Sequence, residues 1–147
     1  MLLYRLIEHG KKHLPNEFGG VLLGRYSQDL TCCTVEETIL PQSYRSSCVQ
    51  FERGNKGLSK ELLAWRKKRP EMMYVGEWHT HPEGVPLPSN RDKTAMKEIA
   101  DAPQVKVTAP ILLILGFQST KASFGAYIQM ENRLYAFEPY EEGNIQQ

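Results

Sequence analysis

Hydrophobic residues along the chain follow two different periods, which divide it into helices and strands. Leu2, Leu3, Leu6 and Ile7 recur at helical spacing among charged residues, so the first fifteen residues predict an amphipathic helix. Runs rich in apolar and β-branched residues predict strands, and the first two flank a short polar "SQD" segment typical of a hairpin. The predicted strands are "GGVLLGRY", "LTCCTVEETILP", "SCVQFERG", "MMYVGEWHTHP", "APILLILGF", "KASFGAYIQM" and "NRLYAFEPY".

Two further helices are predicted inside the chain. In "GLSKELLAWRKKRP", Ser59 is the predicted N-cap, and Leu62, Leu63 and Trp65 are expected to face the core. In "SNRDKTAMKEIADAP", Ser89 is the predicted N-cap. Helices interleaved among mostly hairpin-connected strands favour an α+β fold, with a mixed, mostly antiparallel sheet packed by helices.

Length and composition fit one ordinary globular domain. We expect a single domain over residues 1–147, with 141–147 as a loose tail. Hydrophobic residues make up 41% and charged residues 24%, and the net charge of +1 gives no field that would attract nucleic acid or a membrane. The basic run in "WRKKRP" suits the last turn of a helix better than a phosphate-binding patch. We therefore expect neither nucleic acid nor a membrane as a partner.

The cysteines and the N-terminus indicate a cytoplasmic protein. Cys32, Cys33 and Cys48 give an odd count with an adjacent pair, which is poorly placed for a disulfide and is typical of free thiols. No apolar run approaches the roughly 20 residues that span a bilayer. Charges interrupt the N-terminal apolar residues and no small-residue cleavage site follows, so a folded helix is expected there, not a signal peptide.

The segment "GEWHTHPEGVPLPSNRD" holds the residues with the clearest chemistry. Side chains alternate along a strand, so His79 and His81 project from one face and their imidazoles can converge on one point. Asp92 follows Ser89 in the first turn of the next helix, where a carboxylate is stabilised by the helix dipole. Taken singly, a strand histidine or a Ser-x-x-Asp cap is usually structural, but together they predict an open zinc site.

Hydrolysis at such a site needs a general base, and local spacing leaves two carboxylates open. Glu77 lies on the same predicted strand face as His79 and His81. Glu17 opens "EFGGVLLG" after the first helix. Periodicity does not choose between them, and Glu83, in the loop, is expected to be solvated.

The full pattern resembles the JAMM motif of the JAB/MPN metalloproteases. Glu17 in "NEFGGVLLG" is followed by "HTH" at 79 to 81, seven residues, Ser89, two residues and Asp92. This multi-part pattern is highly specific, and the flanking "GEWHTHP" and E-x-G-G-x-L-x-G segments are similar to prokaryotic JAB domains. The resemblance implies a single JAB/MPN domain with a cytidine-deaminase-like architecture.

The resemblance also implies a role for each motif residue. His79, His81 and Asp92 match the ligands of one catalytic Zn²⁺, and Glu17 matches the base that deprotonates the metal-bound water and later protonates the leaving amine. Ser89 matches the residue that helps stabilise the developing oxyanion. Glu77 is then expected to be structural, and Thr80, on the opposite strand face, to serve in packing or hydrogen bonding.

Family members hydrolyse the amide bond after the C-terminal glycine of ubiquitin or ubiquitin-like proteins. This chain is most similar in style to the deconjugating peptidases encoded beside ubiquitin-like E1 and E2 enzymes, including those of CBASS antiphage operons that release a conjugated cyclic-nucleotide synthase. A peptidase of a sulfur-carrier protein is the alternative within the family. A non-catalytic MPN scaffold that binds partner proteins is the alternative of another class.

Overall fold

The computed structural model describes residues 1–107, 109–119 and 121–138, which form three helices and eight strands. The predicted tail at 141–147 and the end of "NRLYAFEPY" lie outside these residues. The elements are α1 (Leu2–His13), β1 (Gly19–Tyr26), β2 (Cys33–Ile39), β3 (Tyr44–Ser47), β4 (Gln50–Arg53), α2 (Leu58–Lys68), β5 (Met73–Pro82), α3 (Asn90–Asp101), β6 (Ile111–Gln118), β7 (Lys121–Met130) and β8 (Arg133–Ala136).

Six strands form one mixed sheet in the order β2-β1-β5-β6-β7-β8. Every neighbouring pair is antiparallel except β5 and β6, which run parallel. A parallel pair needs a crossover connection, and α3 lies in the segment that joins these two strands. The prediction of an α+β fold with a mixed, mostly antiparallel sheet is therefore confirmed.

The helices cover both faces of this sheet. Leu6 of α1 packs into a core with Leu22 and Trp78 on one face. On the other face, α2 packs on a cluster that includes Leu23, and α3 packs through Met96 on β6. Because β5 lies near the middle of the sheet, its side chains point into the α1 layer on one face and toward α2 and α3 on the other.

The predicted short strand "SCVQFERG" is present as β4, although its first residues belong to β3 and to the turn of a separate two-stranded hairpin, β3–β4. Cys48 and Val49 form its turn, and Val49 is 79% exposed. An apolar residue at an exposed turn resembles a strand residue in sequence, which explains why the turn and β3 were not predicted.

The predicted start of α2 is also wrong. The helix begins at Leu58 with Gly57 as its N-cap, in the left-handed region at φ +74°, and no side chain caps it. The left-handed φ favours glycine at this position, because other residues are strained there. Leu62 and Trp65 pack on the core as predicted, whereas Leu63 is 53% exposed, because it points about 100° away from Leu62 around the helix.

The three cysteines are free thiols, as predicted, with Cys32 and Cys48 exposed. Within the described residues, no helix combines the length and the apolar character needed to span a membrane.

Candidate metal centre

The two histidines sit on β5 with their side chains on the α2 and α3 side of the sheet. The intervening Thr80 and the preceding Trp78 face α1 and are 0% and 1% exposed. His79 pairs with Gly19 of β1, and a Cβ at Gly19 would lie 2.1 Å from the carbonyl oxygen of Trp78. Glycine at this position therefore lets β1 approach the histidine strand closely enough to bring the residues that precede β1 to the site.

Asp92 reaches the histidines from the first turn of α3. Its side chain accepts a hydrogen bond from the Ser89 N–H at 2.7 Å, and its own N–H donates to Ser89 Oγ at 3.1 Å, which forms a capping box. The connecting loop is fixed to the sheet because the Tyr127 hydroxyl donates to the carbonyl of Pro86 at 2.6 Å. The loop lies so close to β6 that a Cβ at Gly116 would meet the Gly84 carbonyl at 2.6 Å.

These elements bring His79, His81 and Asp92 together as the sequence predicted. Nε2 of His79 lies 3.2 Å from one Asp92 carboxylate oxygen, and Nε2 of His81 lies 3.4 Å from the other. The two Nε2 atoms are 3.1 Å apart. Three ligand atoms of types that bind metals thus converge from one strand and one helix end, and they form a possible metal site.

Hydrogen bonds to neighbouring groups orient the side chains of these three residues toward one another. His81 Nδ1 lies 3.0 Å from the Val85 carbonyl, which can only accept, so Nδ1 carries a proton and the ring is held with Nε2 toward His79 and Asp92. Burial alone lowers the pKa of His81, but the bonds to Asp92 and Val85 raise it overall. Burial alone raises the pKa of Asp92, but bonds from both histidines and the Ser89 N–H hold it well below its usual range. The carboxylate therefore stays ionised and available as a ligand.

Glu17 lies in the same groove as the three candidate ligands. Its N–H donates to the Ser47 carbonyl at 2.8 Å, and the Ser46 hydroxyl donates to its carbonyl, so the β3–β4 hairpin holds its backbone. Burial raises the pKa of Glu17, while the nearby imidazoles of His79 and His81 lower it in part. A half-buried carboxylate with a raised pKa beside a possible metal site has the character of a general base.

Glu77, the competing carboxylate, is occupied by other partners. Arg53 of β4 donates to its two oxygens at 2.6 and 2.7 Å, and the Tyr74 hydroxyl donates at 2.8 Å. These bonds commit both carboxylate oxygens. Arg53 was not singled out in the sequence, because its partner is distant along the chain and the hairpin that carries it was not recognised.

Ser89, Glu83 and Thr80 lie in three different environments. Ser89 lines the same groove, and because its oxygen accepts from the Asp92 N–H, its hydroxyl proton is available to donate elsewhere. Glu83 is exposed in the loop, as expected. Thr80 accepts a hydrogen bond from the Phe18 N–H at 3.0 Å on the opposite face.

The mixed sheet thus presents in one groove two strand histidines, a helix-capping aspartate and a half-buried glutamate, and the first three could hold a metal ion. Residues 2–127 match the family described as prokaryotic homologs of the JAB domain, and the chain belongs to that family.

Two of the similar proteins are both named CD-NTase/cGAS isopeptidase. The chain is 40% identical over 102 residues to a CD-NTase/cGAS isopeptidase of Enterobacter hormaechei, a match that covers 69% of this chain and 56% of that protein. It is 34% identical to a CD-NTase/cGAS isopeptidase of Vibrio cholerae, across 79% of this chain and 69% of that one. It is also 32% identical over 84 residues to the 26S proteasome regulatory subunit rpn11 of Schizosaccharomyces pombe, covering 56% of this chain and 26% of the subunit. The chain thus matches only a little over half of the Enterobacter protein.

The fold is shared with a solved structure. A solution structure of a protein from Desulfitobacterium hafniense superposes with a TM-score of 0.60 at 20% identity, covering 92% of this chain and 85% of the other. At that identity the likeness concerns the fold alone.

Proposed function

We propose that this chain is a zinc-dependent isopeptidase that hydrolyses the amide bond following the C-terminal residue of a conjugated CD-NTase. The observation that carries the proposal is the convergence of His79, His81 and Asp92 in one groove with Glu17, in the motif order of the family. The isopeptidase name of two relatives supports the substrate class. A ubiquitin-like protein with a C-terminal glycine is the related substrate of the same chemistry.

The ligand geometry supports zinc. Bonds of about 2.0 to 2.1 Å in a tetrahedral arrangement place ligand atoms about 3.3 Å apart. The two Nε2 atoms are 3.1 Å apart, and their distances of 3.2 and 3.4 Å to Asp92 end on its two different oxygens. One ligand atom from each of the three residues lies within 4.8 Å of the other two. Three protein ligands leave one position open, which is characteristic of catalytic sites. When bound there, zinc supplies Lewis acidity that polarises a carbonyl and acidifies a water molecule.

Glu17 is the proposed general base. It takes a proton from the attacking water and returns it to the leaving amine, so that the water oxygen joins the carbonyl carbon and the C–N bond breaks. The raised pKa of its half-buried carboxyl makes Glu17 a stronger proton acceptor than an exposed carboxylate. The Ser89 hydroxyl donates a hydrogen bond to the oxygen of the substrate carbonyl as negative charge develops on it.

The groove supports an extended peptide as substrate. It runs from the β3–β4 hairpin past the metal-binding residues to α3, and its lining includes Phe51, Trp65, Leu87 and Met96. Glycine at the end of the substrate tail suits the metal-binding strand, because its backbone can approach that strand without a side chain in the way. The free thiols support a reducing cytoplasm as the site of action.

The experiment is cleavage of a bacterial CD-NTase joined through its C-terminal residue to a fluorescent protein. Zinc-loaded wild-type protein is expected to release both parts, EDTA to stop the reaction, and added Zn²⁺ to restore it. Glu17→Gln is expected to abolish cleavage while retaining zinc. Glu83→Gln is the matched control and keeps most of the activity, because Glu83 is exposed in the loop.

Two outcomes would contradict the proposal. Cleavage that continues at the normal rate in EDTA or in Glu17→Gln would exclude the mechanism. Zinc binding without cleavage of this fusion or of a ubiquitin-like fusion would favour a scaffold. Preference for a fusion to a small sulfur-carrier protein would instead select that branch of the family and replace the CD-NTase as substrate.

A further inference from the structure

We propose that Thr80 is a positioning residue for Glu17 and acts through the peptide group that joins Glu17 to Phe18. This inference rests on the proposed function, because it assigns Glu17 the role of base. Thr80 lies on the face of β5 that is turned away from the groove, is 0% exposed, and is not among the residues that line the groove.

The Glu17–Phe18 peptide group is held at both of its polar atoms by side-chain hydroxyls. Its carbonyl oxygen accepts from the Ser46 hydroxyl, and its N–H donates to Thr80 Oγ1 at 3.0 Å. Fixing both ends of a planar peptide fixes the backbone torsions on either side of it, one of which belongs to Glu17. The direction in which the Glu17 side chain leaves the backbone is set by these two hydroxyls.

The Thr80 hydroxyl takes the place of a backbone acceptor. Gly19 pairs with His79, so Phe18 is the next residue opposite Thr80. The Thr80 N–H donates to the Phe18 carbonyl at 2.8 Å, as in a regular antiparallel pair. The return bond from the Phe18 N–H goes to the threonine side chain instead of its carbonyl. The chain thus leaves the regular ladder at this residue, one position after Glu17.

The rotamer of Thr80 is fixed from the other side by α1. A Cβ at Gly10 would lie 2.7 Å from the Thr80 methyl carbon, so the glycine leaves the space into which this methyl packs. Threonine is stiff about χ1, and a fixed methyl fixes the hydroxyl. Packing against α1 therefore sets the position of Thr80 Oγ1, which accepts from the Phe18 N–H. Through that hydrogen bond it also influences the position of Glu17.

The test compares Thr80→Val with Thr80→Ser in zinc-loaded protein, with the CD-NTase fusion as substrate. Valine keeps the methyl and removes the acceptor, and is expected to lower kcat by about tenfold or more with KM changed less than about twofold, since small displacements of a reacting group cost up to about 100-fold. Serine keeps the hydroxyl and is expected to recover most of the lost kcat. Zinc content is expected to be equal in all variants.

Thr38→Val is the matched control. The Thr38 hydroxyl accepts from Trp78 Nε1 and donates to the Val21 carbonyl, both at 2.8 Å, so it too bonds across the same sheet. Its loss is expected to lower the Tm at least as much as Thr80→Val while leaving kcat within about twofold of wild type. Equal kcat losses in Thr38→Val and Thr80→Val would overturn the inference, because stability alone would then explain both.

A second measurement separates this inference from the proposed function. Hydrogen exchange at the Phe18 amide is expected to accelerate at least about tenfold in Thr80→Val but not in Thr38→Val. Unchanged exchange in Thr80→Val would overturn the positioning role even if the wild-type protein cleaves the fusion. If the Phe18 amide exchanged faster in Thr80→Val but the wild-type protein did not cleave the fusion, Thr80 would still hold the Phe18 backbone, and the proposed isopeptidase function would be wrong.

Discussion

Removing one partner of the ion pair between Arg53 and Glu77 should strongly destabilise the protein, because this pair joins the β3–β4 hairpin to the histidine strand. Their side chains are only 19% and 14% exposed, and the guanidinium makes two short bonds to the carboxylate. Removing one partner of a buried pair costs about 3 to 5 kcal/mol, whereas an exposed pair contributes about 0 to 1 kcal/mol. The low exposure places this pair near the buried range, so we expect Arg53→Met to cost about 3 kcal/mol.

Methionine is the informative substitution, because it keeps much of the apolar stem of arginine while removing the charge. It leaves the Glu77 carboxylate with the Tyr74 hydroxyl as a partner at 2.8 Å. A cost of about 3 kcal/mol corresponds to a Tm lower by about 6 to 12 °C in a domain of this size. In Arg53→Met/Glu77→Gln, much of the cost should be recovered, since the uncompensated charge is gone.

Urea unfolding in EDTA, followed by tryptophan fluorescence, measures these free energies without the contribution of bound metal. The two single variants and the double variant form a cycle, and we expect a coupling of about 2 kcal/mol. A coupling near zero, or an Arg53→Met cost below about 1 kcal/mol, would show that the pair behaves as a surface pair. The hairpin would then need another anchor.

Three further predictions follow from the site and the sheet. Burial raises the pKa of Glu17 in the folded protein, so the protonated carboxyl is compatible with folding below its ordinary pKa of 4.5, and that stability is lost as pH rises through the folded pKa. Glu17→Gln should therefore raise the Tm in EDTA at pH 7.5. This gain in Tm should vanish near pH 4.5. Asp92→Asn should weaken zinc binding by more than about 100-fold by competition with a chelating dye, since even supporting partners of ligands contribute 10 to 100-fold. Gly76→Ala should unfold the protein or lower its Tm sharply in calorimetry, because its Cβ would lie 1.9 Å from the Ile111 carbonyl oxygen.

The sequence predicts the fold well where the hydrophobic period is long and uninterrupted. The central strands and α3 follow from apolar runs and a capping serine, and Ser89 caps α3 as predicted. The prediction fails at the start of α2. Gly57 caps α2 in place of Ser59, in the left-handed conformation at φ +74° that glycine adopts readily, and no side chain caps the helix.

The candidate ligands were predictable because they are local. His79 and His81 share one strand face through the two-residue period, and Asp92 follows on the next helix cap. The carboxylate that could serve as base was not predictable by the same reasoning, since Glu17 reaches the groove through the pairing of β1 with β5 and through the hairpin. The sequence left Glu17 and Glu77 open as the base, only the resemblance to a family motif chose Glu17, and its role remains a prediction.

The structure supplies a physical reason to prefer Glu17 over Glu77 as the base. A base needs a lone pair that is not already committed, and both oxygens of Glu77 accept bonds from Arg53, with Tyr74 as a third donor. Glu17 is held through its backbone by Ser46 and Ser47, and its carboxyl accepts no side-chain bond from the described residues. The two carboxylates therefore have different roles. Glu77 fastens the hairpin, and the hairpin in turn holds Glu17 in place with its carboxylate oxygens available for proton transfer.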